Sequence, residues 1–282
     1  MRRSVGCLFV VFTVLAASAS ASQLPAAAGT DSETAARPAD AGATLSADLA
    51  DVPPLVTDRP DFTESAPVVR RGILQIETGV TLEASGPRRG LTAPLSLLRL
   101  GIGRRTELRI GGEGLLRQWE PGGAAVTGHS DLEVGFKAHL IDEAAHGFDF
   151  SIIPSVSVPI HDVHFSSESY DPTVKFVIGR SLPRDWSFGT NINVGSYADA
   201  DGRLFQSALS ATVGHALRAD FTGYAEVFGF LPAGRGEGAQ WTANAGVSHP
   251  IGPRMQWDAE VGRTVGGTGW FMGAGFAVRT PR

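Results

Sequence analysis

Two short stretches of the sequence combine residue types that can do chemistry. HDVH at 161–164 has two histidines of the kind that bind metal ions, and GHSD at 128–131 contains the three residue types of a hydrolase triad. A metal site needs more than two ligands, and adjacent residues of a strand point to opposite faces, so neither stretch meets the geometric requirement by itself. The sequence has no G-x-S-x-G motif and no phosphate-binding glycine loop. We therefore predict no catalytic residue, no metal site and no cofactor.

The elements that would position such residues are β-strands, because apolar and polar residues alternate along most of the chain. In GILQIETGVTLEA, the apolar series from Leu74 to Ala84 alternates with a polar series from Gln75 to Glu83. SDLEVGFKAHL and FDFSIIPSVSVPI show the same pattern. The pattern predicts about twelve strands, at 72–84, 92–102, 106–116, 130–140, 148–160, 171–181, 185–197, 204–215, 221–231, 239–249, 255–264 and 268–279.

The length of these strands predicts an all-β fold, a closed antiparallel transmembrane β-barrel. Most of them have 10 to 13 residues, whereas strands in soluble sheets usually have about five or six and outer-membrane strands need about 9 to 11. The barrel must close, because the unpaired N–H and C=O groups of an open edge are too costly in lipid. We predict short periplasmic turns (GRRT, LPRD, IGPR) and longer extracellular loops (RQWEPGGAAVTGHS, HDVHFSSES, ADADGR, PAGRGEG).

The tryptophans support the same architecture. They fall at or near strand ends on the apolar face, as an interfacial aromatic girdle requires; they are Trp186, Trp241, Trp257 and Trp270. The alternative is a soluble β-sandwich with these rings in its core. A sandwich also alternates apolar and polar residues, but it has shorter strands and no systematic difference between its loops.

The N-terminus has the pattern of a secretory signal peptide. MRRSVGCLFVVFTVLAASASA joins two arginines, an apolar run and an A-x-A site, which predicts export and cleavage after Ala21. A membrane anchor, the alternative, needs about 20 apolar residues. The only cysteine, Cys7, lies within this peptide at 1–21, so the mature chain has no thiol for disulfides, metal binding or catalysis. Residues 22–56, rich in Ala, Asp, Ser, Thr and Pro, are predicted to be a disordered linker.

The polar faces of the strands would line the barrel interior. The net charge of −5 and the lack of a Lys/Arg cluster argue against nucleic acid as a partner. The main predicted lumen-lining residues are Glu77, Arg99, Glu107, Arg109, Glu113, Asp131, Glu133, Lys137, Lys175, Glu226 and Glu260, with Glu83, His139, Asp149, Asp258 and Arg279 on the same faces. Two interpretations remain open: a narrow pore that prefers cations or polar solutes, or a packed ion-pair network that conducts little.

The sequence resembles the outer-membrane transporter family labelled MetA-pathway of phenol degradation. The resemblance rests on TDRPDFTES at 57–65, RGILQIETGV at 71–80, LLRLGIGRRTELRIGGEGL at 97–115, YAEVFGF at 224–230 and the closing QWDAEVGRTVGGTGWFMGAGFAVR. It implies a twelve-stranded barrel at 72–282 in the outer membrane of a Gram-negative bacterium. It also implies a channel for small molecules, aromatic or hydrophobic compounds among them, with outer-membrane lipid and the barrel-assembly machinery as partners. An adhesin or structural barrel without transport, and a barrel lipid hydrolase, are the alternatives.

The stretch TDRPDFTES begins a segment, 57–71, that precedes the first strand at the periplasmic mouth. Arg99, Glu107 and Arg109 lie close together across a tight turn and could bind this acidic segment. We predict that its charged residues pair with lumen charges and that its one aromatic residue packs inside the wall, forming a plug or gate; these residues are Asp58, Arg59, Asp61, Glu64 and Phe62. The alternative is an ordered strap across the barrel base with no gating role.

Overall fold

The computed structural model describes residues 55–199, 202–218, 220–231 and 238–281. The signal peptide predicted at 1–21 and nearly all of the linker predicted at 22–56 lie outside these ranges. Within the described ranges, no helix has both the length and the apolar character that crossing a membrane would require.

The described residues form thirteen β-strands, one helical turn, α1 (Glu143–His146), and one 3-10 turn, Gly252–Arg254. The strands are β1 (Leu74–Ser85), β2 (Arg88–Gly101), β3 (Thr106–Trp119), β4 (Val126–Gly128), β5 (Leu132–Ile141), β6 (Asp149–Val158), β7 (Asp171–Leu182), β8 (Trp186–Asp199), β9 (Gly202–Arg218), β10 (Phe221–Leu231), β11 (Gln240–Pro250), β12 (Met255–Thr264) and β13 (Trp270–Arg279).

Twelve of these strands close into an antiparallel barrel. Each pairs with its neighbour in sequence, except that β3 passes over the short β4 to pair with β5, and β1 pairs with β13 from Gln75–Arg279 to Ala84–Trp270. The closed ladder leaves no barrel edge unpaired. Because the strand number is even, β1 begins and β13 ends at the same end of the barrel, which we call the near end; the opposite end is the far end.

The predicted strand positions are confirmed, but two predicted loops are shorter than expected. β8 and β9 extend to Asp199 and from Gly202, so most of ADADGR is strand. In RQWEPGGAAVTGHS, the first residues still belong to β3, and Val126–Gly128 forms β4, which pairs back onto β3. In both places, the strands are longer than the alternating pattern predicted. Backbone hydrogen bonds between the two strands of a hairpin do not require apolar side chains, so pairing continues where the alternation ends.

The barrel is apolar outside and polar inside. On β1, Val80 and Leu82 are exposed on the outer wall, whereas the side chains of Gln75 and Glu77 are almost completely buried inside. The buried apolar residues that cluster together are few, namely Ala66, Ile153 and Val177. Burial inside this barrel is therefore mainly burial of polar and charged groups.

Aromatic side chains gather on the outer wall at the near end. The ring of Trp186 stacks on His215 at a centroid distance of 4.4 Å, and Phe221 stacks on His249 at 4.3 Å and meets the edge of Trp257 at 6.0 Å. Trp241 and Trp270 lie near the far ends of β11 and β13. The rings thus mark both ends of the apolar outer band, as an interfacial girdle does.

We expect an arginine on the outer wall to be costly only where the wall meets hydrocarbon. Val261 lies in the middle of β12 and Val265 in the hairpin after it, and these residues are 57% and 59% exposed. In lipid vesicles, Val261→Arg should lower the free energy of unfolding by about 2–4 kcal/mol. Val265→Arg, the matched control, should change it by less than about 0.5 kcal/mol. Equal effects in denaturant titrations would contradict the placement of the outer band.

Candidate functional site

The N-terminal segment (residues 57–71) enters the barrel from the near end, crosses the lumen and returns to start β1. Both limbs of this loop meet Arg99 of β2, whose guanidinium donates hydrogen bonds to the carbonyl oxygens of Val56 (3.1 Å) and Pro67 (3.2 Å). The limbs are also joined directly, because the backbone N–H of Ser65 donates to the Asp58 carboxylate at 2.9 Å. The segment is a compact loop inside the lumen.

Three buried cations of the wall converge on Asp58. Its carboxylate lies 3.3 Å from the guanidinium of Arg99 and 2.9 Å from the ammonium of Lys137, and it also forms an ion pair with Arg109. Burial by itself would raise the pKa of Asp58, but the three cations and a hydrogen bond from Ser65 hold it well below its usual range. Asp58 therefore remains ionised, and it ties β2, β3 and β5 to the segment.

The wall charges near Asp58 also pair with one another. Arg99 donates to Glu107 at 2.8 Å and to Glu77 at 2.9 Å, and Arg109 donates to Glu107 at 2.9 Å. Arg99, Glu107 and Arg109 are the three residues that the sequence placed together across the β2–β3 turn. Mutual pairing lets these ions stay buried, because an isolated ion in such a site would cost several kcal/mol.

The carboxylate of Glu64 extends the same ion-pair network from β3 to β7. It accepts a hydrogen bond from Arg109 of β3 at 2.7 Å and forms an ion pair with Lys175 of β7. Glu64, like Asp58, therefore pairs with lumen cations.

Wall carboxylates also satisfy backbone N–H groups of the segment, which has no strand partner of its own. Glu77 accepts from the N–H of Asp58 at 2.9 Å, and Glu107 accepts from the N–H of Val69 at 2.6 Å. Glu226 accepts from the N–H groups of Phe62 (2.9 Å) and Thr63 (2.7 Å). These glutamates accept the backbone hydrogen bonds that a neighbouring strand would accept in a regular sheet.

The guanidinium of Arg59 lies against two facing glycines of β1 and β13. Gly79 and Gly275 are register partners, and a Cβ atom added at either would lie within 2.6 Å of the Arg59 side chain. The guanidinium donates to Asp258 of β12 at 3.1 Å. Because glycine has no side chain, Gly79 and Gly275 leave space for the ion pair between Arg59 and Asp258.

Phe62 packs inside the wall, at the tip of the loop. Its ring stacks on Phe228 with the centroids 4.5 Å apart, and it meets the edge of Phe230 at 5.8 Å. Both partners lie on β10 in phase with Glu226, so the alternation of YAEVFGF contained the signal for these inward rings. Phe228 and Phe230 are not among the residues predicted from the sequence to line the lumen.

Asp61 differs from its predicted role. In the described part of the chain it forms no ion pair with a basic side chain; its charged neighbours are the carboxylates of Glu226, Asp58 and Glu260. The reason is geometric, because the loop directs Asp58 and Glu64 toward the cations of β2, β3, β5 and β7, and Asp61 toward the acidic strands β10 and β12.

The other predicted lining residues have varied surroundings. Glu133 and Lys175 line the open part of the lumen, and Glu113 is buried on β3. Asp131 lies at the far end, just before β5, where its carboxylate accepts hydrogen bonds from the N–H groups of Ile160 and Ser167. Asp131 therefore holds the loop at 159–170.

The two motifs with chemical residue types meet in that same loop region. The Asp162 carboxylate accepts hydrogen bonds from the N–H groups of His129, His164 and Phe165. Burial opposes ionisation, but these N–H groups hold the pKa of Asp162 below its usual range. In the described residues no three His, Cys, Asp or Glu side chains form a group suited to a metal ion. The contacts of Asp162 order the loop.

A cavity of about 580 Å³ lies above the segment and reaches the far end. Its floor is formed by the segment, including Asp61, Phe62 and Glu64, and its rim includes Arg88 and Gln118. This volume is within the range of small-molecule sites, about 300–1,000 Å³. The lumen is therefore open toward the far end, with the segment as part of the cavity floor.

Comparison with known proteins identifies the family. A family model described as "Putative MetA-pathway of phenol degradation" matches residues 57–280. The chain belongs to this family. The match starts at Thr57, so it includes the segment inside the lumen. No curated protein matches the sequence.

Two solved structures share the fold. The COG4313 outer membrane channel from Pseudomonas putida F1 is 9% identical, with a TM-score of 0.57, and the similarity covers 79% of this chain and 99% of that one. The NanC porin is 10% identical, with a TM-score of 0.50 and coverage of 72% and 98%. The family member described here thus has the fold of these outer-membrane barrels.

We expect loss of the Glu226 carboxylate to destabilise the segment. Glu226→Ala leaves two backbone N–H donors without their acceptor, so it should lower the free energy of unfolding by about 1–3 kcal/mol. Glu133→Ala is the matched control, because Glu133 faces the cavity from β5 and binds no backbone N–H of the segment among the described contacts. Denaturant titration and proteolysis of the segment measure both variants. Equal loss in the two variants would contradict this role of Glu226.

Proposed function

We propose that this protein is an outer-membrane channel for small molecules and that its N-terminal segment is a plug. The observation that supports the proposal is the division of the lumen. A cavity reaches the far end, and the segment forms its floor toward the near end. We assign the far end to the outside of the cell and the near end to the periplasm, because outer-membrane barrels have their longer loops outside and their short turns in the periplasm. A solute that enters the cavity can continue only if the segment shifts.

The contacts of the plug suit a segment that moves without unfolding the barrel. They are mainly ion pairs and hydrogen bonds to the wall, such as Asp58 with Lys137 and Arg59 with Asp258. Buried ion pairs contribute little net stability once the cost of desolvation is counted. Water that enters the lumen with a solute could replace them, whereas an apolar interface would resist wetting.

The proposed solutes are small aromatic or other hydrophobic compounds. The family description refers to phenol degradation, and the two similar structures are named as a channel and a porin. Within this chain, Phe62, Phe228 and Phe230 give the cavity an aromatic wall. Export with cleavage after Ala21, and insertion by the barrel-assembly machinery, are parts of the same proposal that rest on the sequence.

A disulfide between plug and wall tests the gate. The hydroxyl oxygens of Thr63 and Ser210 are 2.7 Å apart, so cysteines at these positions can bond with little backbone movement. Cys7 is the only native cysteine and can be replaced by serine. In planar bilayers and liposome-swelling assays, Thr63→Cys with Ser210→Cys should conduct less when oxidised and recover on reduction. Thr63→Cys alone should not respond. Equal flux in both redox states would contradict gating.

Deletion of 57–65 separates a plug from a strap. Removal of a plug should raise the single-channel conductance, because water then fills the space that the segment occupied. Removal of a strap should leave conductance unchanged and lower the stability of the barrel. Bilayer recording and denaturant titration of the same preparation distinguish the two outcomes.

A further inference from the structure

The wall between β10 and β12 is strongly acidic where it meets the plug. Asp61 of the segment and Glu260 of β12 line the cavity, and Glu226 of β10 and Asp258 of β12 lie beside them on the inward faces of their strands. The one basic side chain in direct contact with this group, among the described residues, is Arg59, which binds Asp258 at 3.1 Å. Four carboxylates therefore face one guanidinium. We call Asp61, Glu226, Asp258 and Glu260 the acidic corner.

Two buried acceptor atoms beside the corner have no hydrogen-bond partner. The amide oxygen of Asn244 and the Oδ2 atom of Asp258 are unsatisfied, and these residues are only 6% and 1% exposed. Asn244 is the register partner of Glu226 and donates its own N–H to that carboxylate at 2.9 Å. The Nε of Arg59 is the one donor beside the corner that is also unsatisfied among the described residues, so unsatisfied acceptors outnumber unsatisfied donors there. Buried polar groups without partners are rare and costly.

The surroundings of Asp61 show the same imbalance. Burial and the nearby Glu226 carboxylate raise the pKa of Asp61 well above its usual range. The hydroxyl of Tyr224 is the one side-chain donor to Glu260 among the described contacts, and it lies 3.4 Å away. Asp61 and Glu260 line the cavity, so a ligand there that brings a positive charge and N–H donors would pair with both carboxylates.

An aromatic surface stands next to the corner. Phe62 follows Asp61 in the chain, and Phe228 and Phe230 continue the strand that carries Glu226. Phe228 and Phe230 are set edge to face with centroids 6.3 Å apart, and all three rings line the cavity. Aromatic faces attract cations and also bury apolar groups.

We infer that the cavity binds amphipathic organic cations, with the ammonium group in the acidic corner and the apolar part against Phe62, Phe228 and Phe230. This inference rests on the proposed function, since it names a class of solute for the same lumen. It goes beyond a preference for apolar compounds, because the charge of the solute becomes the deciding property. An anion of the same shape would be repelled by the corner.

The test compares three probes that share a phenyl ring and differ in charge: phenethylammonium, phenethyl alcohol and hydrocinnamate. Isothermal titration of the refolded, full mature chain in detergent measures binding without any need for conduction. The ammonium should bind at least about tenfold more tightly than the alcohol, as charge-assisted hydrogen bonds predict, and the carboxylate should bind most weakly.

Two isosteric variants locate the site. Asp61→Asn and Glu260→Gln should each weaken the ammonium about tenfold and leave the affinity of the alcohol unchanged. Glu260→Gln lies outside the plug, so it tests the corner even if Asp61→Asn perturbs the plug. Glu168→Gln, in the exposed extracellular loop, is the control for general loss of negative charge and should change nothing.

Equal affinity for ammonium and alcohol, undetectable ammonium binding, or unchanged ammonium affinity in both variants would overturn the inference. These results would leave the channel proposal intact, because that proposal depends on the redox response of the plug disulfide. Conversely, a barrel that binds ammonium but does not conduct would remove the channel and keep the site.

Discussion

Buried charge inside a closed barrel is the constraint on which the rest of this structure depends. The outer wall faces hydrocarbon, so the apolar residues point outward and the polar residues of every strand are confined to a narrow lumen. Lys137 and Arg99 are almost completely buried there. Buried ions need partners of opposite charge. Asp58 of the N-terminal segment is the carboxylate that pairs with three cations of the wall. The segment thus belongs to the core of the barrel as well as to its pore.

This arrangement explains how one segment can be ordered and still be a candidate gate. An apolar core holds its parts together by excluding water, whereas the core here is made of ion pairs and hydrogen bonds that water can replace. The glutamates that bind backbone N–H groups, Glu77, Glu107 and Glu226, give the loop a defined path. The backbone N–H groups that they bind belong to the segment, whereas the strands are held together by their own backbone pairs, so the barrel ladder itself does not depend on these glutamates.

The two sides of the lumen differ in electrostatic balance. Toward β2, β3, β5 and β7, cations and carboxylates are interleaved and neutralise one another. Toward β10 and β12, carboxylates predominate next to aromatic rings, and acceptor atoms of Asn244 and Asp258 remain unsatisfied. A lumen that is neutral on one side and acidic and aromatic on the other can orient a solute with one charged end.

The sequence by itself determined the strands, their two faces and the closed barrel, because side-chain direction along a strand depends only on the local period of two. It also placed Arg99, Glu107 and Arg109 together, since a tight turn fixes the register of its two strands. It did not distinguish Asp58 from Asp61, which occur in the same polar stretch. Only the tertiary structure decided that Asp58 meets three cations and Asp61 meets carboxylates. Contacts across a lumen depend on barrel closure, on stagger and on the path of the loop, none of which is encoded in a local pattern.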